Sequence, residues 1–274
     1  MRFTKMEGAG NDYLYVNAFE ETVEHPEETA VRLSDRHFGV GSDGLVLIAP
    51  SQTADVRMIM YNADGSRGKM CGNASRCVAK YVYERGLVRK KEILLETDDG
   101  IKKMTLDLDG DHVKSVTVDM GRAVFEPEAI PCLCPGGGRE IALTALDRTF
   151  MAVPVGVGNP NAVILLDEPV ESFPLARYGA VLERHSAFPL KTNVEFVNVL
   201  SRTHIRMRVF ERGSGVTLAC GTGACASAVA CHLRGLCDEQ VLVSLDGGEL
   251  TIRCEGDHMS MTGPANFICD GIVP

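Results

Sequence analysis

Short apolar runs bounded by turn residues dominate the hydrophobic pattern of the chain. In the first half LYVNAF, LVLIAP, VRMIMY, ILLET, KMTLDL and VKSVTVDM have the length and alternation of strands. FMAVPVG, NAVILLD, VEFVNVL, IRMRVFE, QVLVSL and LTIRC do the same in the second half. Each set surrounds one segment of helical rhythm, beginning after Cys71-Gly72 and after Cys220-Gly221. Asp98-Asp99-Gly100, Asp109-Gly110 and Asp246-Gly247-Gly248 mark turns between strands. The pattern predicts an α+β fold in which each half wraps a β-rich layer around its own helix.

The halves also match residue by residue. MCGNASRCVAKYVYERGL lies over ACGTGACASAVACHLRGL without a gap, placing Cys71 on Cys220 and Arg85-Gly86-Leu87 on Arg234-Gly235-Leu236. GAGN ending at Asn11 matches GVGN ending at Asn159, and MYNADGS resembles VFERGSG. Such duplication predicts two related domains, which suits 274 residues. CPGGGRE is expected to be a connecting loop just after the junction.

Composition narrows the function. With 45% apolar and 24% charged residues the chain has the make-up of a soluble globular protein. Its net charge of -9 and the lack of a Lys/Arg cluster argue against nucleic acid as a partner. The start MRFTKMEGAG has no signal-like apolar stretch, and GLVLIAP and AVILL are too short to cross a bilayer, so a cytoplasmic protein is expected. The ten cysteines are then expected to be free thiols. No CxxC pair or HExxH helix suggests a metal. GSRGKM fails as a P-loop, GAGNDY and GVGNPN fail as dinucleotide fingerprints, and nothing resembles a pyridoxal-phosphate site, so no cofactor is expected.

What remains is a thiol at the start of each helix, where the helix dipole favours a thiolate. A lone Cys-Gly there is more often structural, but two at equivalent places invite a pseudo-twofold site with the sulfurs facing across a cleft. The N–H groups of Gly72, Asn73 and Ala74, and of Gly221, Thr222 and Gly223, suit a carboxylate. A carboxylate so held has its α-carbon between the thiols. One, as thiolate, removes the α-proton, and the other, as thiol, delivers a proton to the opposite face. Converging dipoles in a closed, dry site would stabilise the carbanion, so the domains are expected to close over substrate.

KMEGAGNDY, GVGSDGLVLI, MYNADGS, MCGN, GNPN, TNVEFV, VFERGSGVTLACGTGACA and GGELTI, in this order, closely resemble the motifs of the diaminopimelate epimerases, pyridoxal-independent enzymes with two catalytic cysteines. The resemblance implies two like, pseudo-twofold-related domains, each a β-barrel-like sheet around a central α-helix. Residues 1–118 with 264–274 would form the domain carrying Cys71, and residues 119–263 the domain carrying Cys220. It makes Cys71 and Cys220 the acid/base pair. It gives substrate binding to Asn11, Asn62, Gly72, Asn73, Asn159, Asn193, Glu211, Arg212, Gly221 and Thr222. Arg212 is the natural partner for a distal carboxylate, and Glu211 for an ammonium or a thiol. The bland alternative for the polar residues, Asn11 and Asn159 above all, is turn and capping duty.

Two departures stand out. GNPN puts Asn161 where the family has a histidine that helps poise the thiols, and an amide does not exchange protons at neutral pH. CGNA puts a Cβ at Ala74. The implied activity is epimerisation of LL-diaminopimelate to the meso form, for lysine and peptidoglycan precursors, with a small-molecule amino acid as the partner and a homodimer left open. Asn161 keeps a racemase of another amino acid, such as histidine, as the runner-up. A non-catalytic or redox-sensing binder, whose two thiols could form a disulfide, is the remote alternative. Cys77, Cys132, Cys134, Cys225, Cys231, Cys237, Cys254 and Cys269 are expected to be structural or incidental.

Overall fold

A computed structural model describes residues 1–133 and 139–274; Cys134 and most of the CPGGGRE loop lie outside the described residues. The chain forms two units, Met1–Asp119 with Thr262–Pro274, and Met120–Met261.

The first unit runs β1 (Arg2–Gly8), β2 (Asn11–Asn17), α1 (Pro26–Ser34), β3 (Gly44–Ala49), β4 (Val56–Asn62), β5 (Arg67–Gly68), α2 (Gly72–Glu84), β6 (Glu92–Thr97), β7 (Gly100–Asp109) and most of β8 (His112–Arg122). β1 pairs antiparallel with β2, β2 parallel with β3, β3 antiparallel with β4, and β4 parallel with β6. β6, β7 and β8 continue as an antiparallel meander.

The second unit holds β9 (Ile141–Ala145), β10 (Arg148–Gly156), β11 (Pro160–Leu165), α3 (Leu175–Leu182), β12 (Asn193–Ser201), β13 (His204–Glu211), β14 (Gly215–Thr217), α4 (Gly221–Leu233), β15 (Gln240–Ser244), β16 (Glu249–Glu255) and most of β17 (His258–Gly263). Its pairings repeat those of the first unit: β10 antiparallel to β11, β11 parallel to β12, β12 antiparallel to β13, and β13 parallel to β15. The duplication seen in the letters is thus a duplication of topology. β18 (Asn266–Ile272) belongs to the first unit and flanks β1, as β9 flanks β10 in the second.

The helices after the two cysteines are the centres of their units. α2 packs against β1, β2, β6 and β7, and α4 against β10, β11, β12, β13, β15 and β16. α4 is small and apolar on all sides, GTGACASAVACHL, which is the pattern of a helix with sheet around it rather than solvent on one face. Both stop alike: the Arg85 and Arg234 N–H groups bond back into the last turn, and Gly86 and Gly235 follow at φ 79° and 71°. Left-handed backbone of this kind favours glycine, hence the shared Arg-Gly-Leu.

α1 and α3 are additional to the two expected helices. α1 carries Pro26 at its start and Glu27 and Glu28 in its first turn, which are start signals, but only three of its residues are buried. α3 covers the outer face of the second sheet. There Val194, Phe196 and Phe210 join Leu175, Tyr178 and Leu182, with the Phe173 and Phe196 ring centroids 4.6 Å apart. The side chains of alternate residues point the other way, toward α4.

Candidate active site

Strand register builds a polar layer at the α4 end of the second unit. The parallel pairing of β11 with β12 sets Asn161 opposite Asn193. The antiparallel pairing of Val194 with Phe210 puts Glu211 next in line beside Asn193. One hydrogen-bonded set results. Asn193 Nδ2 donates to Asn161 Oδ1 at 3.1 Å and lies 3.9 Å from Cys220 Sγ, while Asn193 Oδ1 accepts the Arg212 N–H at 2.8 Å. Asn161 is fully buried, and its Nδ2 donates to the backbone oxygens of Val155 and Asn159 and to the Asn159 side chain. Asn161 is therefore an anchor for Asn193 and for the Asn159 turn. The Thr217 hydroxyl donates to the Glu211 carboxylate.

Cys220 is the N-cap of α4, in extended backbone, and its Sγ accepts the Gly223 N–H at 3.4 Å and lies 3.4 Å from the Thr222 hydroxyl. The helix end thus aims a donor at the sulfur, as its position dictates. Burial works against the thiolate that this position favours. Burial pushes the Cys220 thiol well above its ordinary range, and the nearby Glu211 and Glu195 carboxyls push it the same way against the bonds from Thr222 and Gly223. Desolvation is the largest of these effects.

Arg212 sits on an exposed turn, with one contact from its guanidinium to the Leu190 carbonyl and no ion pair among the described residues. The turn is pinned from below. Glu183, nearly buried, accepts the Gly213 N–H at 2.9 Å and pairs with Arg184 and Lys191.

In the first unit Cys71 is likewise an N-cap in extended backbone, here half-buried, and its Sγ donates to Asn11 Oδ1 at 3.3 Å. Asn11 Nδ2 donates to Asp43, which also accepts the Asp12 N–H and pairs with Arg36. Arg36 and Lys5 pair with Asp12. Burial would raise the Asp12 carboxyl, but hydrogen bonds from Arg36 and Lys5 hold it below its usual range. Asn73 accepts from the fully buried Arg76 at 3.0 Å, and Arg76 Nε donates to the Pro264 carbonyl at 3.0 Å. Asn62 turns its amide to Ser66 at 2.9 Å.

Each unit therefore collects one cysteine, a helix start (Gly72 and Asn73, or Gly221 and Thr222) and its own asparagines: Asn11 and Asn62 in the first, Asn159 and Asn193 in the second. The first intrahelical donors are Ser75 and Ala224, so the N–H groups before them lie outside the helical ladder and suit an anion. Asp43, Arg76, Glu183 and Glu195 were not singled out in the sequence. A charge inside the apolar runs NVEFV and SRCVA was the signal for Glu195 and Arg76. Among the described residues no group of three His, Cys, Asp or Glu is placed to hold a metal, and no helix is long and apolar enough to cross a membrane.

Comparison with known proteins agrees over the whole chain. A family model described as diaminopimelate epimerase matches residues 3–126 and 153–268. Diaminopimelate epimerases of Agathobacter rectalis and Acetivibrio thermocellus are 48% and 50% identical, covering all of this chain and 99% and 98% of their own length. That of Methanococcus maripaludis is 49% identical with 100% and 99% coverage. Among solved structures, a hydroxyproline epimerase from Agrobacterium vitis with bound trans-4-hydroxy-L-proline has a TM-score of 0.71 at 18% identity, covering 99% of this chain and 91% of its own. A Bacillus anthracis phenazine biosynthesis protein of the PhzF family has a TM-score of 0.73 at 15% identity, with 100% and 99% coverage. At such identities these two structures show a shared fold.

Proposed function

The chain belongs to the diaminopimelate epimerase family, and from that premise we propose that it converts LL-2,6-diaminopimelate to the meso isomer by two-base proton transfer through Cys71 and Cys220. The observation that carries the reading is the equivalence of the two thiols, each the N-cap of a thirteen-residue central helix.

In the reaction one cysteine, as thiolate, takes the α-hydrogen as a proton, and the C–H electron pair passes to the α-carbon and its carboxylate. The other cysteine gives its S–H proton to the opposite face of that carbon and keeps the electron pair as a thiolate. Charge is conserved, and the two sulfurs exchange roles. The N–H groups starting α2 and α4 suit the carboxylate whose charge grows in the transition state. Asn11 orients Cys71; Asn193, held by Asn161, orients Cys220.

Arg212, a guanidinium without an ion pair among the described residues, supports a substrate with a second carboxylate over histidine. The reading needs no metal, cofactor, nucleic acid or membrane, and holds for a monomer or a homodimer. Reduced thiols fit a cytoplasmic setting. Incubation with LL-diaminopimelate in D₂O, beside a panel of other L-amino acids, tests it: deuterium enters at the α-carbon with formation of the meso isomer. Exchange with another amino acid alone, or none, sinks it.

A further inference from the structure

Glu195 plays no part in the scheme above. It lies on β12 with no accessible surface, and its carboxyl has no side-chain partner among the described residues, only backbone N–H groups of Ala162 and of Glu195 itself. Register sets Val163 on β11 and Val209 on β13 opposite it. Strand alternation places it on the face of Asn193, toward α4.

Its neighbour across that face is Gly223. A Cβ built there would stand 2.8 Å from Glu195 Oε1 and 3.1 Å from Cγ. Gly223 is also the residue whose N–H donates to Cys220 Sγ. One glycine thus separates a sealed carboxyl from the sulfur. In the sequence duplication Val46 takes the place of Glu195 and Ala74 the place of Gly223, so the half without the acid also lacks the glycine. The titratable groups facing Glu195 are Cys220 at the start of α4 and Glu211 from β13; β11 offers Asn161 and Val163, and Glu195 has no ion pair among the described residues.

We propose that Glu195 is a positioning residue for the Cys220 thiol, a carboxylic acid sealed behind Gly223 whose ionisation and that of Cys220 exclude one another. Two buried anions on either side of one glycine, with no cation paired to the carboxyl among the described residues, are not formed together. Burial raises both groups well above their ordinary ranges, in keeping with this arrangement. Cys220 becomes a thiolate only while Glu195 keeps its proton, and an ionised Glu195 holds Cys220 as the thiol. The proposal rests on Cys220 being a proton-transfer group, but its test uses no substrate, so it and the epimerase reading fail separately.

Glu195→Gln keeps the shape and cannot ionise. Alkylation of Cys220 by iodoacetamide, followed against pH by peptide mass spectrometry, is expected to move to lower pH in this variant. At one mildly alkaline pH Cys220 then reacts about threefold faster, because the larger thiolate fraction is partly offset by the lower nucleophilicity of a more acidic thiol. Cys71 should be unchanged. Superimposable Cys220 curves overturn the proposal. Should the glutamine variant not fold, the coupling is read from the other side, by the infrared carbonyl band of the protonated carboxyl in wild-type and Cys220→Ser protein. The band is expected at neutral pH and should be lost at lower pH in Cys220→Ser; no such band, or identical titrations, overturns it.

Discussion

The side-chain oxygen of Asn161 accepts a hydrogen bond from the Asn193 amide 3.1 Å away, and the opposite end of Asn193 holds the Arg212 backbone. A residue that cannot exchange protons thus acts by fixing one that touches both the thiol and the turn presenting the guanidinium. Asn161→Ala is expected to lower kcat/KM at least about tenfold, and to cost about 1–3 kcal/mol in stability by stranding buried donors and acceptors. Steady-state kinetics and urea denaturation check both, and an active, equally stable variant contradicts the anchoring role.

Cys71→Ser and Cys220→Ser should each lower kcat by about 10²–10⁴, the usual worth of a general acid or base. Thermal unfolding should move little for Cys71→Ser, whose sulfur is half-buried, and more for Cys220→Ser, which puts a hydroxyl in a buried place. Retention of full turnover in either variant refutes the two-base reading.

Arg212→Met is expected to raise KM about ten- to a hundredfold, the loss of one charge-assisted pair, with little change in the melting temperature. Arg212→Lys should rescue only part of it, because an ammonium lacks the planar fork. Equal KM values in wild type and Arg212→Met rule out contact with a distal carboxylate.

Glu183 gives a pH signature. Burial would raise its carboxyl, but the Gly213 N–H, Arg184 and Lys191 hold it below the ordinary range. A folded value below the unfolded one means that the stabilisation is complete above about pH 4.3 and is lost as pH falls through the folded value. Denaturation midpoints should drop across that acid range, and Glu183→Gln should flatten the drop. An identical acid profile in the variant removes Glu183 from the account.

Gly223→Ala should destabilise the protein, because the new methyl meets the Glu195 carboxyl. Glu195→Val should relieve it, reproducing the Val46 and Ala74 pair of the first half. A double-mutant cycle is expected to give about 0.5–3 kcal/mol of favourable coupling. Strict additivity would show that the glycine and the acid are independent.

The duplication, the two central helices and the cysteines before them were legible in the letters, because a repeat and a Cys-Gly helix start are local in sequence. α1 and α3 were not, since nine and eight residues with partial burial make too short a period to separate from loop. The strands β5 and β14 are shorter still. Asn161, Asn193 and Glu211 were each visible, but their common layer comes from register between strands far apart in sequence. The surroundings of Cys220 were hidden for the same reason: the helix start is written in the motif, whereas the burial and the two carboxyls that raise the thiol exist only after folding.

The second unit is continuous in sequence, while the first recruits β18 and the Pro264 carbonyl that anchors Arg76. During synthesis at about 5–20 residues per second, all the strands and the helix around Cys220 leave the ribosome before that last strand appears. The surroundings of the earlier cysteine thus include the later-made segment of the two. A nascent or truncated chain that lacks β18 holds Asn73 without the backbone anchor behind Arg76, so the surroundings of Cys71 are complete only once that strand has been made.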